Sequence, residues 1–112
     1  MQAFFVVLNQ PEHLEPLLQK MLESGITGST VLDSRGMARV LCDEDTPIFG
    51  MLRNIVNQSR AENKTLFTVL RDEQVDTMRA LVNEVTGGIA VPGTGIMFAV
   101  PISFVEGMMG SK

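Results

Sequence analysis

Two apolar runs, residues 3–8 (AFFVVL) and residues 96–100 (IMFAV), constrain this chain more than any other feature. Each is too short for an ordinary helix, and neither shows the alternation of a strand with one wet face. Both read as strands with apolar side chains to bury on two sides. Asn9, Gln10 and Pro11 end the first run, and Pro101 closes the second. A glycine-rich stretch at residues 86–95, TGGIAVPGTG, feeds the second run. Its glycines reach backbone conformations that a Cβ disfavours, which suits plain turns and equally suits close approach of backbone N–H groups to a ligand. It is neither the dinucleotide fingerprint nor the P-loop, because the glycine spacing and the Gly-Lys-Ser/Thr ending are absent.

Between those runs the periodicity changes. After Pro11, the residues Leu14, Leu17, Leu18, Met21 and Leu22 recur on one helical face, and Gly25 ends it. Pro16 fits if that helix begins near Glu12, where a missing N–H falls in the first turn. Residues 28–33 (GSTVLD) predict a second strand, broken at Arg35-Gly36 and continued by residues 37–41. Residues 42–45 (CDED) form an acidic loop, and Thr46-Pro47 then starts a helix over residues 47–58 with Ile48, Met51, Leu52, Ile55 and Val56 on one face. Residues 65–70 predict a third strand. Asp72 is placed to cap a further helix, whose Val75, Met78, Leu81, Val82 and Val85 face the core before Gly87-Gly88 stops it.

The order β-α-β-(α)-β-α-β, with a single domain over residues 1–112, predicts an α+β ferredoxin-like sandwich carrying an extra helix between strands two and three. Helices on one face leave the other uncovered. Strands that are apolar on both sides then call for another copy of the sheet, and so for an oligomer.

Composition narrows the function. With 45% hydrophobic and 20% charged residues in 112, the chain has the make-up of one folded domain. A net charge of −4 gives no electrostatic handle on nucleic acid or on anionic membranes. Cys42 is the only cysteine, so no internal disulfide forms. The apolar start lacks a basic leader region and reads as a strand, not a membrane insertion; with free thiols, a cytoplasmic location is expected. His13, the only histidine, sits at a helix start with no nucleophile motif beside it, which reads as a solvated surface residue. No acid/base or nucleophile constellation marks an enzyme. The acidic run at 42–45 lacks the alternation of a calcium loop and reads as solvated.

Residues 25–31 (GITGSTV), then Arg35-Gly36-Met37-Ala38-Arg39, residues 72–77 (DEQVDT), Thr86-Gly87 and residues 93–100 (GTGIMFAV) fall in the order and near the spacing of a known family. Together they resemble the nitrogen regulatory P-II signal proteins over almost the whole chain, GITGSTV being the most specific match. The resemblance implies a homotrimer of ferredoxin-like subunits that binds ATP or ADP, often with 2-oxoglutarate, in clefts between subunits. It also implies signalling through a long loop between strands two and three that docks on a target protein. By position, Thr30 matches the threonine that contacts adenine, and Gly36, Met37 and Ala38 match the base of the mobile loop. Gly87, Gly93, Thr94 and Gly95 fall in the phosphate-side loop.

The departures fall on the charged parts. The phosphate-side loop carries no lysine, and Glu106 stands after the last strand where the family has arginines. Val40 or Leu41 replaces the glutamine that serves magnesium and 2-oxoglutarate, and the absence of tyrosine removes the uridylylation site. Burying a triphosphate without charge-assisted partners costs several kcal/mol, so ATP and ADP are disfavoured; Lys64, Arg71 and Arg39 are the only nearby substitutes. Two non-enzymatic functions follow. One is a P-II-like sensor in which a small molecule between subunits biases residues 35–64, which a partner protein reads. The other is a trimeric protein–protein scaffold that has lost its ligand.

Overall fold

The computed structural model describes residues 1–43 and 62–108. It is an α+β fold built on β1 (Gln2–Leu8), α1 (Leu14–Glu23), β2 (Thr30–Ser34), α2 (Met37–Asp43), β3 (Asn63–Leu70), α3 (Val75–Thr86) and β4 (Gly95–Pro101). The strands form one four-stranded antiparallel sheet in the order β2-β3-β1-β4. Short 3-10 turns, Pro11–His13 and Asp72–Gln74, lead into α1 and α3.

Even-numbered residues of β1 and β3 point to the helices. Phe4, Val6, Leu8, Leu66 and Leu70 are buried there against Leu17 and Met21 of α1 and Met78 and Val82 of α3. Taking nine side chains of this size fully out of water stabilises by roughly 1.5–3 kcal/mol each for the aliphatic and aromatic ones. The helices therefore lie on one side of the sheet. Lys20 of α1 and Glu84 of α3 pair across their exposed flanks at 3.1 Å.

Both helix ends follow from sequence. Gly25 adopts a left-handed φ of +83°, and the Ile26 N–H reaches back to the Met21 carbonyl at 2.8 Å while Gly25 N–H reaches Leu22. That is a Schellman closure, and its apolar partners Ile26 and Met21 are both in the core. Pro16 lies in the first turn of α1, where no N–H is needed. Gly87, with φ of +80°, ends α3.

Four local expectations change. Residues 37–41 are helical in α2 rather than an extension of β2. The ladder with β3 ends at Ser34↔Asn63, so chain beyond it has no strand to pair with, and Met37, Ala38 and Leu41 are good helix formers. The second strand begins at Thr30 and not at Gly28, because Thr68 Oγ1 on β3 donates to the Gly28 carbonyl at 2.5 Å. β3 begins at Asn63, two residues before the expected start. Asp72 does not cap α3: its carboxylate accepts from the Met1 amino group at 3.0 Å, while the Gln74 side chain accepts the Arg71 N–H at 3.0 Å. The helix expected over residues 47–58 lies outside the described residues.

Odd-numbered residues of β1 and β3 face away from the helices, together with Thr30, Leu32 and Ser34 of β2 and Ile96, Phe98 and Val100 of β4. The register stacks them in rows: Val69–Ala3–Val100, then Thr30–Phe67–Phe5–Phe98, then Leu32–Thr65–Val7–Ile96. Phe5 sits between its neighbours, 4.9 Å from Phe98 in a stacked pair and 5.9 Å from Phe67 in a tilted one. Nothing within the described chain covers this face, and Ile96, Phe98 and Val100 are 55%, 47% and 42% exposed.

Candidate functional site

A cleft of about 530 Å³ opens where β2 stops short of the end of β3. Its floor is Phe67 to Leu70, and among the described residues no strand pairs with Thr68 to Leu70 on that edge, because the ladder to β2 ends at Thr30↔Phe67. One wall is the Gly25–Ser29 turn, the other Arg71 and Gln74, with Met1, Gly107 and Met108 at the mouth. The turn is held by two features already described, the Schellman closure at Gly25 and the Thr68-to-Gly28 hydrogen bond. A strand residue's N–H and C=O point to the same side, and sides alternate. A bare stretch of three residues therefore presents at least one adjacent donor and acceptor to the cleft. Apolar flanks and a donor–acceptor edge suit a flat, polar-edged small molecule.

Of the sequence-predicted residues, only Thr30 lines this cleft. Gly36, Met37, Ala38, Gly87, Gly93, Thr94 and Gly95 do not. They gather at the opposite end of the sheet, where β2 exits, α3 ends and β4 begins. One chain thus separates the residues into two groups.

The glycine loop is largely closed on itself. Gly87 N–H donates to the Asn83 carbonyl, Gly88 N–H to Thr86 Oγ1, Ile89 N–H to Asn83 Oδ1, Val91 N–H to the Gly88 carbonyl and Thr94 N–H to the Val91 carbonyl. Pro92 has no N–H to give. Five amides that could have cradled a phosphate are spent inside the loop, and Thr94 is buried beneath it. Gly95 has a packing reason of its own: with φ of +149°, any Cβ there would lie 2.0 Å from the Val7 carbonyl oxygen. Gly93 takes φ of +85°, a turn conformation that glycine reaches without strain.

Each end carries a cation already paired with a carboxylate. Arg71 stands at the cleft, its Nε 2.9 Å from Glu73 Oε1. Hydrogen bonding of the Glu73 carboxylate to its own backbone N–H, and then to Arg71, holds its pKa below the usual range. Lys64 lies at the other end and on the helix side, bonded to Asp33 at 2.5 Å, which pushes its pKa up. Two of the three cations that sequence offered for a phosphate, Lys64 and Arg71, already hold a carboxylate.

His13 is half-buried rather than solvated, and its Nδ1 is buried with no hydrogen-bond partner among the described residues. No group of three or more His, Cys, Asp or Glu side chains among the described residues is arranged to hold a metal. No helix among them is long and apolar enough to cross a membrane. The side chains of the acidic run 42–45 lie outside the described residues.

Sequence reasoning missed the cleft's bare strand edge, and with it Thr68, Gln74 and the mouth at Met1 and Met108. A strand that starts two residues late leaves no mark in composition. It also missed Asn9, Asn63 and Ser34, which share the glycine-loop end of the sheet. An asparagine just after one apolar strand and another at the start of the next, Asn9 and Asn63, were the available signal. No protein-family model matches this chain, and neither does any curated protein.

Proposed function

We propose that this chain is a non-enzymatic, P-II-like regulatory protein of ferredoxin-like topology, assembled as a homotrimer that binds a small ligand of low charge between subunits. Residues 35–64 carry the read-out to a target protein. The observation that carries this reading is the separation of Thr30 in its cleft from the glycine-loop end, with an uncovered apolar sheet face spanning the distance. Residues that a ligand would need together are apart in one chain, and they are brought together most simply by a neighbouring copy.

The strand order β2-β3-β1-β4, with α1 and α3 on one side, supports the ferredoxin-like topology. The loop amides spent internally and the occupied Lys64 and Arg71 support a ligand less anionic than ATP. Removing a polyanion from water without charged partners costs several kcal/mol, whereas a nucleoside or a monoanion asks for one or two hydrogen bonds. The same internal closure of the loop, with a packing role for Gly95, favours a second reading, a trimeric scaffold without a ligand.

Thermal unfolding with a panel of adenosine, AMP, ATP with and without magnesium, and 2-oxoglutarate separates these. A ligand at a hundred times its Kd adds about 2.7 kcal/mol. Stabilisation by a neutral or singly charged member, lost in Thr30→Ala, is expected. Strong stabilisation by ATP would overturn the low-charge assignment, and no response to any member would put the scaffold ahead.

A further inference from the structure

A row of uncharged polar side chains crosses the sheet at its glycine-loop end. The Ser34 hydroxyl on β2 donates to Asn63 Oδ1 on β3, in the last pair of that ladder. Asn63 Nδ2 donates to Asn9 Oδ1, just beyond β1, at 3.5 Å. Asn9 Nδ2 donates to the Gly93 carbonyl at 3.3 Å. Since Ser34 spends its proton on Asn63, the hydroxyl of Thr65, 2.7 Å from Ser34 Oγ, is the donor to Ser34. Every link then points one way: Thr65 to Ser34 to Asn63 to Asn9 to Gly93. Hydrogen bonds aligned head to tail polarise one another, and each carboxamide has its orientation set by the next.

The ends of this row matter. Ser34 is the last residue of β2, and Gly36, where a Cβ would lie 4.0 Å from Asn63 Nδ2, begins the segment that leads into α2. Gly93 belongs to the loop before β4, whose carbonyl at Thr94 also accepts the Asn9 N–H at 3.0 Å. β2 and β4 are opposite edges of the sheet, with no backbone hydrogen bond between them. The side-chain row is a direct polar connection from the exit of β2 to the loop before β4.

We infer that Asn9 and Asn63 are positioning residues that couple the base of the 35–62 segment to the glycine loop, so that loosening either end loosens the other. Its use in signalling rests on the proposed function; the coupling itself does not, and its test needs no ligand. Partial engagement suits such a role: the two long links, Asn63 to Asn9 half-buried and Asn9 to Gly93 exposed, break at little cost, unlike the buried core beneath them.

Amide hydrogen exchange on the full chain tests this. Ser34→Ala should raise exchange at the Asn9 and Thr94 amides, across the sheet, by about fivefold to tenfold, the scale of losing one hydrogen bond's worth of local stability. Asn9→Ala should do the same at the Val40 amide, which closes the first turn of α2 on the Gly36 carbonyl. Asn63→Leu, of similar size and uncharged, removes both the acceptor for Ser34 and the donor to Asn9, so it should raise exchange at the Asn9, Thr94 and Val40 amides to the same extent while core amides of β1 and β3 stay protected. Val100→Ala, on the same sheet face but off the row, is the control for general loosening. Exchange that rises only beside each substitution would overturn the coupling, and so would equal effects from Val100→Ala. Whether any ligand binds is decided separately by the thermal panel, so failure of one leaves the other standing.

Discussion

The two faces of the sheet use the same kinds of residue to opposite effect. Phe4 on the helix side is 1% exposed, while Phe98, one strand position from Ala99, the pair of Phe4, and so on the other side, is 47% exposed. Neighbouring residues of one strand, Phe4 and Phe5, belong to different solvents: one to a core closed by α1 and α3, the other to an aromatic row that the described chain leaves open. The lesson is that a continuous apolar strand states how many faces must be buried, not what buries them. The helix face is closed by this chain's own elements; the open face is a contiguous apolar surface of a kind that marks an interaction site.

Substitutions can break that contrast, beginning with the closed side. Phe4→Ala should cost about 3–5 kcal/mol, the loss of a filled core position plus its cavity, at every protein concentration in denaturant unfolding. Gly95→Ala comes next, at about 3 kcal/mol, because a residue with a Cβ is strained at φ of +149° and that Cβ would press on the Val7 carbonyl where β4 approaches β1. Since β4 carries Ile96, Phe98 and Val100, that change should also weaken assembly in gel filtration. Phe98→Ala should lower the stability of a dissociated chain by about 1 kcal/mol, the worth of its stack on Phe5, and by more at concentrations where copies associate. A concentration-independent loss would remove the distinction between the faces.

The smallest effect is electrostatic. The Asp33 hydrogen bond raises the Lys64 pKa above its ordinary 10.5, so the pair's contribution is fully present below that value and lost as pH rises through the folded pKa. Glu73 has the opposite sign: its contribution is present above its ordinary 4.5 and lost as pH falls through its lowered pKa. These two pairs should lower the unfolding midpoint at those two extremes, and Lys64→Met should reduce the alkaline decline without altering the acid one. Both pairs are at the surface and screened, so neither should alter assembly.

Much of the fold was legible because periodicity and punctuation agree. Leu17, Met21, Met78 and Val82 fall at helical spacing and are buried at the sheet, and Gly25 and Gly87 end helices where only a left-handed residue closes the turn. Residues 37–41 were misread because a short apolar run fits a strand or a helix, and its state depends on whether a partner strand extends beyond Ser34↔Asn63. The site was less legible. Thr30 does line a cleft, but the cleft exists because β2 starts late, a consequence of the Thr68-to-Gly28 bond between residues 40 apart in sequence. The glycines looked alike in sequence, yet Gly95 answers to a backbone contact and Gly87 to a helix end.

Sedimentation equilibrium at micromolar concentration tests most directly whether the open face is buried between copies. A mass of three chains is expected for the native sequence, falling to one chain in Phe98→Asp, where an unpaired charge would be forced into the interface at a cost of roughly 3 kcal/mol or more. A native protein that sediments as a monomer would contradict the trimer, and with it the shared cleft that the proposed function requires.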